Sequence, residues 1–222
     1  MTENERAGKL VVISGFSGVG KGTVVNRLLN DYDHYKLSVS MTTRKPRDGE
    51  VHGVNYYFVS NEEFEEMIGN GGLLEHAGYA DHYYGTPRSF VEENMAKGKD
   101  VILEIEVQGA MQIKKKHPDA ILIFVTTPDA EEMARRLLGR KTENAEQIIN
   151  RLKRAVDEAE HMKNYDYIVV NDKLEDCAKE INSIVEKGEG GVKYDPDFKN
   201  RFVGDLRVII AKMAAGFHKV LG

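Results

Sequence analysis

Residues 11–25 read VVISGFSGVGKGTVV, and this stretch decides the fold. Leu10, Val11, Val12 and Ile13 form an apolar, mostly β-branched run. It leads into Gly15-Phe16-Ser17-Gly18-Val19-Gly20-Lys21, after which Val24, Val25, Leu28 and Leu29 recur at helical spacing. Strand, glycine-rich turn and helix start make the setting in which G-x-x-x-x-G-K is a phosphate-binding loop. Glycine permits backbone angles that turn successive N–H groups around an anion, and no Cβ blocks the approach. The helix N-terminus adds unpaired N–H groups and the positive end of its dipole. Lys21 supplies a cation able to follow charge on a phosphoryl group. The next residue, commonly a Ser or Thr that ligates Mg²⁺, is Gly22, and Thr23 comes one place later. Phosphate binding survives that change. Mg²⁺ is then expected to be held mainly by nucleotide phosphates and water, in keeping with its reluctance to dehydrate.

The chain around this loop has 222 residues, enough for one domain with insertions and a sizeable core. Hydrophobic residues make up 41% and charged residues 30%, ordinary for a globular protein. The net charge of −5 gives no bulk attraction to nucleic acid or an anionic membrane, so neither is an expected partner. A single cysteine, Cys177, excludes an internal disulfide framework and suits a reducing cytoplasm. The polar start MTENERAGK has no apolar signal region, and no apolar run reaches membrane-spanning length.

Downstream, strands alternate with helices. A first helix is expected at about Gly22–Asn30, then a half-exposed strand over Leu37–Met41, a turn at Pro46 and Asp48-Gly49, and a strand over Val54–Val59. Ser60 is placed to cap a helix through Ile68, with Glu62 and Glu63 in its first turn. Short strands follow over Leu73–Tyr84, and Thr86-Pro87 opens a helix to about Lys97. Val101–Val107 reads as a strand with Glu104 and Glu106 near its C-terminal end, where ligands gather in open α/β sheets. Ile121–Val125 has the continuous apolar character of a buried parallel strand. Charged helices are expected at about Asp129–Gly139 and Ala145–Lys163, a strand over Tyr167–Val170, and an amphipathic helix carrying Leu174, Cys177, Ile181 and Val185. The pattern predicts an α/β fold with a parallel central sheet.

Gly188-Glu189-Gly190-Gly191 reads as a linker. Beyond it Phe198, Phe202, Leu206, Ile209, Ile210, Met213, Phe217 and Leu221 repeat at helical spacing. Such a face packs on its own domain or on a partner chain, and its length suggests self-association, so a homo-oligomer is among the expected partners. The flanking Lys and Arg residues leave a membrane-surface helix as the lesser alternative.

The segment Ser38–Tyr56, SVSMTTRKPRDGEVHGVNY, taken together with GFSGVGKGT, resembles the guanylate kinases, which convert GMP and ATP to GDP and ADP. The resemblance continues through Leu74-Glu75-His76-Ala77, Tyr83–Pro87, Leu103–Gly109, Gly139–Glu143 and Ile168–Asp172, covering about Lys9–Lys187 in order. It implies a P-loop NTPase-type parallel sheet flanked by helices, with a GMP-binding insertion at about 38–97 and a helical lid at about 129–163. The kinase domain would span 1–187, and 188–222 would be a linker and helical extension.

By that resemblance ATP lies on Gly15, Phe16, Ser17, Gly18, Val19, Gly20, Lys21, Gly22 and Thr23, with Arg136 in the lid and Asn171 and Asp172 near the adenine. Arg44 and Arg47 grip the GMP phosphate, a task guanidinium forks perform better than lysine. The hydroxyls of Tyr56 and Tyr84 assist. Glu75, on its residue type alone equally an exposed strand residue, accepts N1–H and N2–H₂ of guanine. Ser40 and Thr86 donate toward O6 and N7. Adenine has no N1–H, so it would leave the acceptor unpaired. Glu104 and Glu106 orient Mg²⁺, the arginines and GMP; a strong base is unnecessary because the acceptor phosphate is already anionic. Lys21, Arg44, Arg140 and Arg151 carry catalysis by neutralising charge. ATP and GMP, with dGMP as a further acceptor, are the expected small-molecule partners. The non-catalytic scaffold modules of similar sequence form the competing class, and they have typically lost a working phosphate loop, which is intact here.

Overall fold

The computed structural model describes residues 7–79, 81–139 and 144–216. The fold is mixed α/β, built on parallel strands flanked by helices. The chain forms two compact units: one from residues up to Ile13 together with Leu28–Leu122, the other from Ser14–Arg27 together with the described residues from Ile123 onward.

In the first unit, β1 (Leu10–Gly15) runs through Ile13 beside β7 (Asp100–Glu104) in parallel, Leu10 opposite Val101 and Ile13 opposite Glu104. On the other side of β7 lies β2 (Tyr35–Leu37), also parallel. Every residue of β1 is buried, which is why it is written in Val, Leu and Ile without alternation. A second sheet has the order β4-β3-β6-β5, from β3 (Met41–Thr42), β4 (Tyr57–Phe58), β5 (Leu73–Tyr79) and β6 (His82–Pro87). Between them lie α2 (Asn61–Gly69), α3 (Arg88–Ala96) and α4 (Val107–Lys116). Ser60 caps α2 as expected, and Glu63 completes a capping box by bonding back to the Ser60 N–H at 2.8 Å.

The second unit contains α1 (Lys21–Asp31) as far as Arg27, β8 (Ile121–Thr126) from Ile123 with its parallel partner β9 (Tyr167–Val170), α5 (Ala130–Leu138), α6 (Ala145–Ala159), α7 (Leu174–Lys187) and α8 (Pro196–Ala214). α8 starts on an Asp195 cap with Pro196 in the first turn, and it packs against α5 and α6. Phe202, Val203, Leu206 and Ile209 are buried there. Its apolar face is therefore covered within the chain; Phe217 and Leu221 lie outside the described residues.

Several expected boundaries move. Leu37–Met41 is not one strand: Leu37 ends β2, Met41 begins β3 in the other sheet, and Ser38–Ser40 cross between them. Of Val54–Val59 only Tyr57 and Phe58 are strand, because the Asn55 side chain accepts from the Val51 N–H and closes a turn. β7 stops at Glu104; Glu106 is the N-cap of α4, a helix not expected from the sequence. β6 runs through Thr86 to Pro87, which is also the N-cap of α3, so that helix begins at Arg88. α6 ends at Ala159, before a short 3₁₀ turn over Met162–Asn164. The Gly188–Gly191 linker is pinned at its far end, where Val192 and Ile168 exchange two backbone hydrogen bonds of 2.9 Å.

Candidate active site

Each unit carries a cluster of its own. In the second, β1 delivers Gly15 against β8: a Cβ there would lie 2.1 Å from the Val125 carbonyl oxygen, so no side chain fits. Gly20 has φ +91°, in the left-handed region, just before α1 begins at Lys21. The Lys21 ammonium turns back along the loop, donating to the carbonyls of Gly15 at 2.6 Å and Phe16 at 3.2 Å. Thr23 is exposed, and Gly22 has no hydroxyl to offer.

Helices α5 and α6 and the end of β9 meet this loop. Arg136 donates from Nη1 to the Val19 carbonyl at 3.2 Å, from Nη2 to the Asn171 carbonyl at 2.8 Å and from Nε to Glu132 at 2.6 Å. Burial acts against the charge of Glu132, but the bonds from Arg135 and Arg136 outweigh it and hold the carboxyl below its usual range. The Asn171 amide, buried, also donates to the Val19 carbonyl, at 2.8 Å. Arg151 donates to the Ser17 hydroxyl. The loop is thus braced at the Val19 carbonyl from α5 and the end of β9, and at the Ser17 hydroxyl from α6. Here Asn171 and Arg136 serve the loop, and Asp172 is exposed beside them. Arg140 lies outside the described residues.

In the first unit, Glu75 is buried on β5, 4% exposed. The β5–β6 register slips by one residue between Leu73 and His76, a bulge that re-aims the side chain lying within it. Thr86 on β6 donates its hydroxyl proton to Glu75 Oε1 at 2.7 Å. That single proton is spent, so in this arrangement Thr86 orients the carboxylate. The other oxygen faces Gly109 of α4, where a Cβ would lie 2.3 Å from Oε2. Burial pushes the Glu75 carboxyl up to about 7, against the opposing pull of the Thr86 bond and the Lys116 charge.

On β3 and the loop after it, Arg44 is held rather than waving in solvent. Its Nη2 pairs with Glu50 Oε1 at 2.8 Å, and its Nη1 donates to the Lys45 carbonyl at 2.7 Å. The guanidinium lies 5.4 Å from the Tyr56 ring centroid and 5.8 Å from that of Phe58. The other Glu50 oxygen accepts from the Arg47 N–H at 2.7 Å, while the Arg47 side chain stays exposed. Glu50 holds the Arg44 pKa up, and Arg44 holds that of Glu50 down. Burial, with Tyr84 and Glu104 nearby, pushes Tyr56 above its ordinary value, so its hydroxyl stays a donor at neutral pH. The Tyr56 and Tyr84 rings meet edge to face at 5.9 Å. Ser40 is half-buried in the β2–β3 crossing, Glu104 ends β7 half-buried, and Glu106 is exposed.

Arg44, Tyr56 and Tyr84 therefore come together, as do Glu75 and Thr86. Glu50 and Gly109 were not among the residues singled out from the sequence. An acid directly after the Asp48-Gly49 turn that follows two arginines is a weak signal, and Gly109 has none without the fold. Among the described residues no group of three or more His, Cys, Asp or Glu is placed to hold a metal.

A glycine-rich loop with its lysine, in one unit, and a buried carboxylate and an arginine–tyrosine cluster, in the other, mark a P-loop nucleotide phosphotransferase. Residues 7–188 match the family model described as guanylate kinase, and the chain belongs to the guanylate kinase family. The guanylate kinase of Lactococcus lactis is 53% identical over 179 residues, 81% of this chain and 87% of that protein. The one from Lactiplantibacillus plantarum is 50% identical over 201 residues, 90% of this chain and 98% of that protein. A crystal structure of guanylate kinase from Anaplasma phagocytophilum superposes with a TM-score of 0.68 at 36% identity, covering 82% of this chain and 87% of that one.

Proposed function

We propose that this protein transfers the γ-phosphoryl group of ATP to GMP, and also to dGMP, giving ADP and the guanine nucleoside diphosphate. The observation that carries the guanine assignment is Glu75, a buried carboxylate oriented by Thr86 and aimed by a bulge. Guanine presents N1–H and N2–H₂ to two acceptor oxygens, whereas adenine presents no N1–H and leaves a buried acceptor unpaired. Ser40 faces the same base. Arg44, Arg47, Tyr56 and Tyr84 bind the GMP phosphate, with Glu50 fixing the fork of Arg44 before substrate arrives.

On the donor side, residues Gly15 to Thr23 wrap the ATP phosphates, and Asn171 and Asp172 border the adenine. Lys21 leaves the carbonyls of Gly15 and Phe16 to follow the transferring group. Lid arginines Arg136, Arg140 and Arg151 add positive charge as the lid excludes water, which would otherwise compete as acceptor. Catalysis is positioning plus charge neutralisation by Lys21, Arg44, Arg140 and Arg151. Mg²⁺, when bound, neutralises charge on the phosphoryl oxygens; Glu104 and Glu106 would orient its water shell. The residues from 1 to 187 carry this chemistry, with 38–97 serving GMP and 129–163 the lid, and 188–222 extend it. A cytoplasmic setting suits these substrates, and no described helix is long and apolar enough to cross a membrane. A homo-oligomer through α8 would have to use the side opposite its buried face, where Val208 is exposed.

The test is ADP formation with Mg²⁺, ATP and a panel of GMP, dGMP, AMP, CMP and UMP. Turnover confined to GMP and dGMP is expected, and Lys21→Met should abolish it while leaving the fold intact. Turnover of AMP at a rate near that of GMP would remove the role given to Glu75. No turnover from folded protein would favour a binding module instead.

A further inference from the structure

A phosphate loop with glycines at 15, 18 and 20 is pliable, yet Lys21 is held by backbone carbonyls of that same loop. Something must fix those carbonyls. Phe16 is the large apolar side chain between Gly15 and Gly18, and it is fully buried. Its ring is clasped on two sides: Phe124 of β8 meets it edge-on at 4.9 Å, and Phe202 of α8 lies against it nearly parallel, at 5.0 Å and 12°. Phe198, one turn earlier on α8, backs Phe202 at 5.7 Å, and Tyr165 backs Phe124 at 5.1 Å. The carbonyl of this clasped residue accepts from Lys21, and from the Val19 N–H at 3.4 Å.

We propose that Phe202 is a positioning residue for phosphoryl transfer: by stacking on Phe16 it fixes the loop carbonyls that hold Lys21, so α8 sets the geometry of the phosphate loop. The residues of the guanylate kinase model end at 188, before α8 begins at Pro196, so this contribution comes from outside the matched region. α8 also packs on α5 and α6, the helices whose Arg136 and Arg151 reach the same loop. The inference rests on the proposed role of Lys21 at the ATP phosphates.

The experiment is steady-state kinetics, in ATP and in GMP separately, on the full chain carrying Phe202→Ala, Phe202→Tyr, Leu206→Ala or Lys21→Met. Leu206 is fully buried on the same helix and offers Phe16 no ring, so its variant reports lost packing alone. Phe202→Ala is expected to lower kcat/KM for ATP about tenfold, with KM for GMP held within about twofold, the size a small misplacement of a reacting group produces. Phe202→Tyr, which keeps the ring, should restore the ATP constants. Leu206→Ala should lower the melting temperature while leaving both sets of constants within about twofold of the parent. In a Phe16→Ala background, Phe202→Ala should add little, since coupled residues are not additive. Equal kinetic losses in the Phe202→Ala and Leu206→Ala proteins, or full additivity with Phe16→Ala, would overturn the proposal. Should Phe202→Ala fail to fold, Phe202→Leu keeps most of the volume and removes the stack, and the same split is expected from it. Near-normal turnover by Lys21→Met would instead sink the role of Lys21, a result distinct from failure of the Phe202 prediction.

Discussion

At Glu75, desolvation and specificity act on the same carboxyl. Burial pushes it up to about 7 from an ordinary 4.5, so the folded chain keeps a proton that the unfolded chain releases over that interval. The stabilisation from that proton is complete below about 4.5 and is lost as pH rises through about 7. A shift of this size corresponds to about 3 kcal/mol, so Glu75→Gln should raise the melting temperature more at pH 8 than at pH 5. Guanine needs the ionised form, so KM for GMP in the parent enzyme should climb as pH falls below 7, and Glu75→Gln should keep only the dependence that comes from the GMP phosphate, whose second pKa is about 6. A flat parent profile would show the carboxylate to be uninvolved. Gly109 supplies an independent probe of the same oxygen. Alanine favours a helix interior over glycine by about 1 kcal/mol, so Gly109→Ala should keep the fold. Its Cβ, 2.3 Å from the present Oε2 position, should displace the carboxylate and raise KM for GMP about tenfold while leaving KM for ATP alone.

Elements here are tuned by their ends. The capping box of α2 is complete, with Ser60 and Glu63 each bonded to the other's backbone N–H. Ser60→Ala should therefore cost about 1 kcal/mol in a denaturant titration, with unchanged Michaelis constants. The loop after β3 behaves differently, because its order comes from one side chain bonding across it. Glu50 ties the Arg44 guanidinium to the Arg47 backbone, a pairing that prepays the ordering of a long, flexible side chain. Glu50→Ala should raise KM for GMP several-fold, on the order of 0.5–1.5 kcal/mol for one immobilised side chain, and leave ATP binding untouched. Helix α4 was legible in principle, since Val107, Ala110 and Ile113 repeat at a spacing of three and are buried. The apolar run into Val107 masked it, because one short run serves both a strand end and a helix start.

For the whole chain, the extension beyond Gly188 belongs to the second unit as packed structure. Phe202, Val203, Leu206 and Ile209 are buried, each contributing about 1.5–3 kcal/mol. Together they amount to about 6–12 kcal/mol of gross burial, against the 5–15 kcal/mol net stability usual for a domain. Truncation at Gly188 should leave a chain without a cooperative melting transition at physiological temperature, as circular dichroism would report. A truncated chain melting like the full one would show α8 to be dispensable.

Local chemistry needs no tertiary information, and it carried most of the reading. The strand–glycine loop–lysine–helix order at 10–29, the capping of α2 and the apolar strand before Asp129 are all stated by neighbours in the chain. The family resemblance assigned Arg44, Arg47, Tyr56 and Tyr84 to the GMP phosphate, and Glu75, Ser40 and Thr86 to guanine, without pairing any of them with one another. The fold alone decided which atoms those groups spend on each other. Thr86 gives its proton to Glu75, Asn171 and Arg136 brace the Val19 carbonyl, and the ring of Phe202 rests on Phe16. Periodicity reports that a helix has an apolar face; what that face covers depends on packing between residues far apart in the chain, which no local pattern records.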